Sequence, residues 1–277
     1  MTPDEYCRQK AAASGSSFYY AFLFLPPERR RAITALYAFC REVDDAVDGV
    51  SEPQLARIKL DWWRAEIANL FAGSPQHPVT RALAPVAVSY GISAGRLNEV
   101  VDGMQMDLDQ SRYLDFKGLE RYCYHVAGVV GILSAGIFGY TDPRTLEYAT
   151  QLGTAFQLTN IIRDVGEDAR KNRIYLPMED LKTHGVTAAD ILKARYSDAF
   201  AELMRFQAER AKRYYERAFG ALPQADRRAQ RPGLIMAAIY RALLDEIERD
   251  GFRVLDRRTS LTPLRKLWLA WKTWVAA

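Results

Sequence analysis

The chain has 277 residues, 49% of them hydrophobic and 26% charged, enough apolar material to bury a large core and too much for wholesale disorder. Its 38 basic and 34 acidic residues give a net charge of +4, which argues against a nucleic-acid partner because no basic, aromatic-interleaved module accompanies it. Cys7, Cys40 and Cys123 are odd in number and far apart, and His77, His125 and His184 lack ligand spacing, so neither a disulfide framework nor a zinc site is expected.

Taken in order, the chain opens on Arg8 and Lys10 ahead of an apolar run at 18–25. That run is short, holds two tyrosines and lacks a small-x-small cleavage site, so it does not read as a signal peptide, and a cytoplasmic protein is expected. Pro26-Pro27 with Glu28 starts a helix. On it Ile33, Leu36, Cys40, Val43 and Val47 form an apolar stripe, and Tyr37, Arg41, Asp44 and Asp48 a polar one beside it. Gly49 ends this helix, and Ser51-Glu52-Pro53 begins the next, over 54–72. Helices over 79–90 and 93–110 follow. The stretch 117–140 holds a segment, 122–131, that is apolar all round, hence internal, and the segment 126–140 is too short to span a bilayer. Asp142-Pro143 opens a central helix over 144–169, and 187–194, 197–220 and 231–250 are helical too. With no useful strand pattern, the chain reads as one all-α domain, 1–277.

The central helix carries the chemistry. Asn160, Asp164 and Asp168 recur every four residues, with Gln157 one turn earlier, so these polar groups share one face. Asp44 and Asp48 repeat the spacing near the end of the earlier helix. Carboxylates four apart lie about 6 Å apart along the axis, close enough to bridge hard cations, and magnesium favours one or two carboxylates completed by phosphate oxygens. Either pair alone can equally be solvated charge. Together they are harder to dismiss, because like charges at this spacing destabilise a helix and each pair has an arginine beside it, Arg41 or Arg163. The motif Asp44-Asp45-x-x-Asp48 fits chain-elongating prenyltransferases, and the Asn160 set has the spacing of class I terpene cyclases. Spacing therefore reaches magnesium-dependent diphosphate chemistry on an isoprenoid and stops there.

Four segments carry a closer likeness: Ser17-Phe18-Tyr19-Tyr20-Ala21-Phe22, residues 41–48, residues 122–131, and residues 157–177 with Arg173-Ile174-Tyr175-Leu176-Pro177. In order and spacing they resemble the squalene/phytoene synthase family. With Ser16-Ser17-Phe18-Tyr19-Tyr20 and Asp at position 45, the chain is most similar to bacterial presqualene diphosphate synthases of the hopanoid pathway. The resemblance implies an isoprenoid-synthase helical bundle around a central cavity, and head-to-head joining of two farnesyl diphosphates. It implies about two or three magnesium ions held by Asp44, Asp48, Asn160, Asp164 and Asp168. The catalytic set would be Asp44, Asp48, Asp164, Asp168 and Tyr122. Arg41, Tyr122, Arg163, Tyr240 and Arg257 would contact diphosphate, and Gln157 would shape the pocket near the reacting carbons. Phe18, Tyr20, Phe22 and Tyr37 would line the cavity and face a carbocation. NADPH would not be required. Rival readings are a phytoene or dehydrosqualene synthase, a full NADPH-dependent squalene synthase, a terpene cyclase, and a non-catalytic isoprenoid-binding subunit.

The last stretch, 261–277, is basic and amphipathic. Leu264, Leu267, Trp268, Trp271 and Trp274 share a helical face near Arg265, Lys266 and Lys272. Such a helix suits either the protein's own core or the surface of an anionic membrane, here the inner membrane face, where downstream isoprenoid enzymes could take up the product.

Overall fold

The computed structural model describes residues 1–13, 18–49 and 52–276; Ser16 and Ser17 of the early motif, and Ser51, lie outside them. Helices α1 (Pro3–Ala13) and α2 (Phe18–Phe22) lead into α3 (Pro27–Asp48), α4 (Pro53–Phe71), α5 (Pro78–Ala87) and α6 (Ala94–Asp109). Next come α7 (Phe116–Cys123), a π-helical turn (Tyr124–Gly128), α8 (Val129–Phe138) and α9 (Arg144–Arg170). The chain closes with α10 (Met178–Thr183), α11 (Ala188–Leu192), α12 (Asp198–Ala221), α13 (Arg231–Arg249) and α14 (Pro263–Ala276). Among the described residues extended pairing amounts to one isolated bridge, Arg112 to Ile174. The all-α expectation holds. Sequence reading missed α1 and α10, which are short and carry few apolar residues in register.

Local rules account for the helix ends. Pro27 fills the first turn of α3, where its missing N–H costs nothing, and the Gly49 N–H closes the last turn on the Asp45 carbonyl at 3.0 Å. Ser93 caps α6, Asp115 caps α7 and Ser197 caps α12 through their side-chain oxygens. The entry to α9 is capped from a distance. Buried Asp226 accepts from the Thr141 N–H and hydroxyl at 2.7 Å, the Asp142 N–H at 2.9 Å and the Thr145 hydroxyl at 2.7 Å.

Helix α9 runs through the middle, packed against α8, α12, α13 and the π turn. The two apolar helices approach closely because glycine stands at the crossing: a Cβ on Gly131 would collide with the Ala149 carbonyl, and one on Gly153 with the Ala127 carbonyl. The stretch read as 117–140 is a 23-residue helix, Phe116–Phe138, interrupted by the π turn. Among the described residues it is the one helix long and apolar enough to cross a membrane, so the shorter estimate taken from 126–140 is corrected. Its packing against α6 and α9 is that of a core helix.

Candidate active site

The apolar stripe of α3 is buried through Ile33, Leu36, Val43 and Val47, and this turns Tyr37, Cys40, Arg41 and Asp44 toward the interior of the bundle. On α9 the burial of Leu158, Ile161, Ile162 and Val165 turns Gln157, Asn160 and Arg163 toward the same space. The result is one cavity of about 650 Å³ shared by both polar faces. Phe18 and Phe22 of α2 and Tyr240 of α13 complete its aromatic wall, and Tyr122 reaches it from α7. Phe18 and Tyr37 lie 5.6 Å apart between ring centroids, and Phe156 and Tyr240 4.8 Å apart. Two helices that the sequence could only place side by side in argument thus wall a single site.

The electrostatics of the two acidic motifs differ in detail. Arg41 pairs with Asp44 at 2.7 Å and Asp45 at 3.3 Å, while Lys10 of α1 reaches Asp45 at 2.7 Å and Glu42 at 2.9 Å. Burial raises the Asp44 carboxyl above its ordinary range, with Arg41 opposing. Burial also works against ionisation of Asp48, but Lys171 at 2.8 Å and Arg173 at 3.0 Å hold it below that range. Asp164 is buried likewise and is still held low, by Arg163 at 2.5 Å and Arg258 at 2.9 Å. Among the described residues Asp168 has no such ion-pair partner. Burial, then the like charges of Asp164 and Asp107, push it up to about 7.

Asp107 is a site residue that sequence reading passed over. It accepts from the Tyr175 hydroxyl at 2.7 Å and the Tyr122 hydroxyl at 3.0 Å, and burial pushes it up to about 6. Tyr113, Tyr122 and Tyr175 pack their rings around it, with Tyr122 and Tyr175 centroids 5.2 Å apart. The signal was present: Asp107 continues the apolar stripe Leu97, Val100, Met104, so a carboxylate stood where a core residue was due.

Two expectations fail. Arg257 does not reach the site; it pairs with Asp250 and is largely exposed, and the neighbouring Arg258 takes its place. The cause is a loop that lies directly on α9. The Gly166 N–H donates to the Val254 carbonyl at 3.1 Å, and a Cβ at Gly166 would strike the Val254 and Leu255 carbonyls. This fixes the register in which the following residues cross Asp164. Tyr20 is not part of the cavity wall; its ring faces Lys266 of α14 at 5.8 Å, because α2 is a single short turn that aims Phe18 and Phe22 inward instead. Asp48, Asp164 and Asp168 do not form the wall's surface; Asp164 is tied to it through Arg163 and Arg258, while Asp48 is held by Lys171 and Arg173.

The donor set suits a hard cation. It consists of oxygens only, and Asn160 Oδ1 is buried without a hydrogen-bond partner, an atom in want of an electropositive neighbour. Among the described residues no three acidic, histidine or cysteine side chains converge on one point. An ion here would take protein oxygens one or two at a time and leave room for phosphate oxygens, which is magnesium's habit.

The family profile described as squalene/phytoene synthase matches residues 11–265. A 15-cis-phytoene synthase from Synechocystis sp. (strain ATCC 27184 / PCC 6803 / Kazusa) is 37% identical over 96% of this chain and 84% of its own length. The chloroplastic phytoene synthase of an Oncidium hybrid cultivar is 35% identical over 94% of this chain, which spans only 65% of that longer relative. Among solved structures, a dehydrosqualene synthase in complex with ligand superposes with a TM-score of 0.87 at 29% identity, covering 99% of this chain and 96% of the other. Both named relatives are phytoene synthases, whereas the form of the first motif resembled presqualene diphosphate synthases.

Proposed function

This chain belongs to the squalene/phytoene synthase family, and from that premise we propose that it joins two farnesyl diphosphates head to head, releasing presqualene diphosphate and diphosphate. The observation that carries the reading is the shared cavity, on whose wall apolar and aromatic side chains such as Phe18, Phe22, Leu152 and Tyr240 stand together with Arg41, Asp44, Asn160, Arg163, Arg258 and Lys266. That combination matches a substrate with a prenyl tail and a diphosphate head.

Arg41, Arg163, Arg258 and Lys266 offer cationic donors to diphosphate oxygens, and Arg163 is held charged by Asp164 despite its burial. Bound magnesium, held by Asp44, Asp48, Asn160, Asp164 and Asp168, would neutralise the leaving diphosphate. As the C1–O bond of one substrate breaks, both electrons leave with the diphosphate, and the rings of Phe18, Phe22, Tyr37 and Tyr240 on the cavity wall would face the allylic cation. The C2=C3 electron pair of the second chain forms the new bond to that carbon. Loss of a proton from it then closes the cyclopropane. Among the described residues Asp44 is the one carboxylate on the cavity wall, and it is already paired with Arg41, so we assign that proton to the departing diphosphate. Tyr122, its hydroxyl donated to Asp107, orients rather than deprotonates. No step calls for NADPH.

A second reading, geranylgeranyl diphosphate giving phytoene, is favoured by the names of the relatives at 35% and 37% identity. The dehydrosqualene synthase neighbour favours the shorter substrate. Product analysis by mass spectrometry decides, with each diphosphate, magnesium, and NADPH present or absent. Presqualene diphosphate from farnesyl diphosphate in both reactions is expected. A C40 product from geranylgeranyl diphosphate, with none from farnesyl diphosphate, would overturn the assignment.

A further inference from the structure

Helix α14 has two working faces. Its inner side is fixed to the protein: Ala270 is buried, Trp274 stacks on Phe24 at 5.0 Å under the Arg231 guanidinium at 4.9 Å, and Arg265 pairs with Glu246 at 2.6 Å. The same helix supplies Lys266 to the cavity wall, and the segment leading into it supplies Ser260 and Leu261. Its outer side is apolar and uncovered, with Leu264 80% exposed, Trp268 54%, Trp271 58% and Val275 66%. The sequence reading put Trp274 on one face with Leu264, Leu267, Trp268 and Trp271; the structure packs Trp274 against Phe24 and leaves Val275 exposed beside the others.

Charge says what covers this face. Four of the six basic side chains in residues 253–276 are paired with acids, but Lys266 and Lys272 of α14, and Arg231 packed against it, make no ion pair among the described residues. Lys272 lies over the Trp268 ring at 5.0 Å, keeping a cation at the edge of the apolar stripe. The other exposed apolar stripe, Leu55, Ile58 and Trp62 on α4, has less positive charge around it: Arg57 is neutralised by Asp109 at 2.6 Å and Arg64 by Asp102 at 2.8 Å, and the remaining Lys59 shares the helix with Asp61. Tryptophans flanked by net positive charge fit the headgroup region of a bilayer rich in anionic lipid.

We propose that α14 docks the protein on an anionic lipid bilayer through Leu264, Leu267, Trp268, Trp271 and Val275, setting the cavity wall directly behind the membrane surface. Docking is independent of the reaction proposed above. Only its use, passing prenyl chains between cavity and lipid along this helix, rests on that reading.

The test takes the full chain without substrate and measures co-sedimentation with vesicles of phosphatidylcholine alone or mixed with phosphatidylglycerol. Binding to the anionic vesicles is expected to be roughly tenfold or more tighter than to the neutral ones, and to weaken with added salt. The double variant Trp268→Ser/Trp271→Ser should lose roughly tenfold or more of that binding with unchanged circular dichroism. Trp62→Ser should lose none. Absence of binding to anionic vesicles, or equal loss in Trp62→Ser, overturns the proposal. So does a concentration-dependent dimer that the double variant abolishes, for then a second copy covers the face. Failure of the product assay would leave these results intact.

Discussion

The two ends of α9 use aspartate in opposite ways. At the N-terminus Asp226 meets the positive end of the helix dipole, accepts four hydrogen bonds and is fully satisfied. At the C-terminus Asp164 and Asp168 crowd the negative end, where the dipole opposes them; among the described residues Asp168 has no ion-pair partner and Asn160 Oδ1 no donor. The ends of α3 show the same asymmetry, with Glu28 in the first turn and Asp44 and Asp48 in the last two. Carboxylates placed where a helix rejects them have to be explained by what they bind. Asp226, satisfied within the chain, holds the fold; Asp164, though paired with Arg163 and Arg258, shares its helix end with Asp168, a concentration of charge that a bound cation would relieve.

The contrast can be broken most directly by exchanging charge for amide at each end. Asp164→Asn is expected to lower turnover by about a thousandfold, about 4 kcal/mol, while helix content stays near that of the parent. Near-normal rates, read as product formed under magnesium, would remove the C-terminal cluster from the chemistry. Asp226→Asn should do the reverse, costing about 2–3 kcal/mol of unfolding free energy and leaving turnover of the folded fraction unchanged. Acidity provides a finer check on the same residue. Although burial opposes its ionisation, the hydrogen bonds from Asp142, Thr145 and Thr141 hold Asp226 down to about 2, against about 3.9 in an unfolded chain. Its contribution is therefore complete above roughly pH 4 and is lost as pH falls through about 2, so the parent–variant gap in urea midpoint should close over that window.

A smaller effect probes how the functional end is built. Gly166→Ala forces a methyl group against the Val254 and Leu255 carbonyls, and about 1–3 kcal/mol of stability should be lost together with activity. Wild-type behaviour by thermal melt and assay would mean that the loop does not set the position of Arg258. Smallest is the comparison of neighbours. Arg258→Ala should lower kcat/KM about tenfold, or about 1.4 kcal/mol, whereas Arg257→Ala should change it less than about twofold. The opposite ranking would restore the register that sequence reading preferred.

Sequence by itself determined the helices and the chemistry class. The boundaries of α3, α4, α12 and α13 follow from local causes, namely proline and polar caps, 3.6-residue apolar periodicity and terminal glycine, all of which act within a few residues, whereas the entry to α9 also takes its cap from distant Asp226. The acidic spacings were legible for the same reason, since i and i+4 share a face in any helix. Tertiary structure alone decided which cations meet which carboxylates: Lys171 and Arg173 come to Asp48 from beyond α9, and Arg258 to Asp164 across the loop seated on Gly166. It also decided that Asp107 stands among three tyrosines, that Tyr20 and Arg257 lie outside the wall, and that Trp274 faces inward. Those outcomes depend on contacts between segments far apart in the chain, where no local periodicity carries information and a shift of one residue turns a side chain by about 100°.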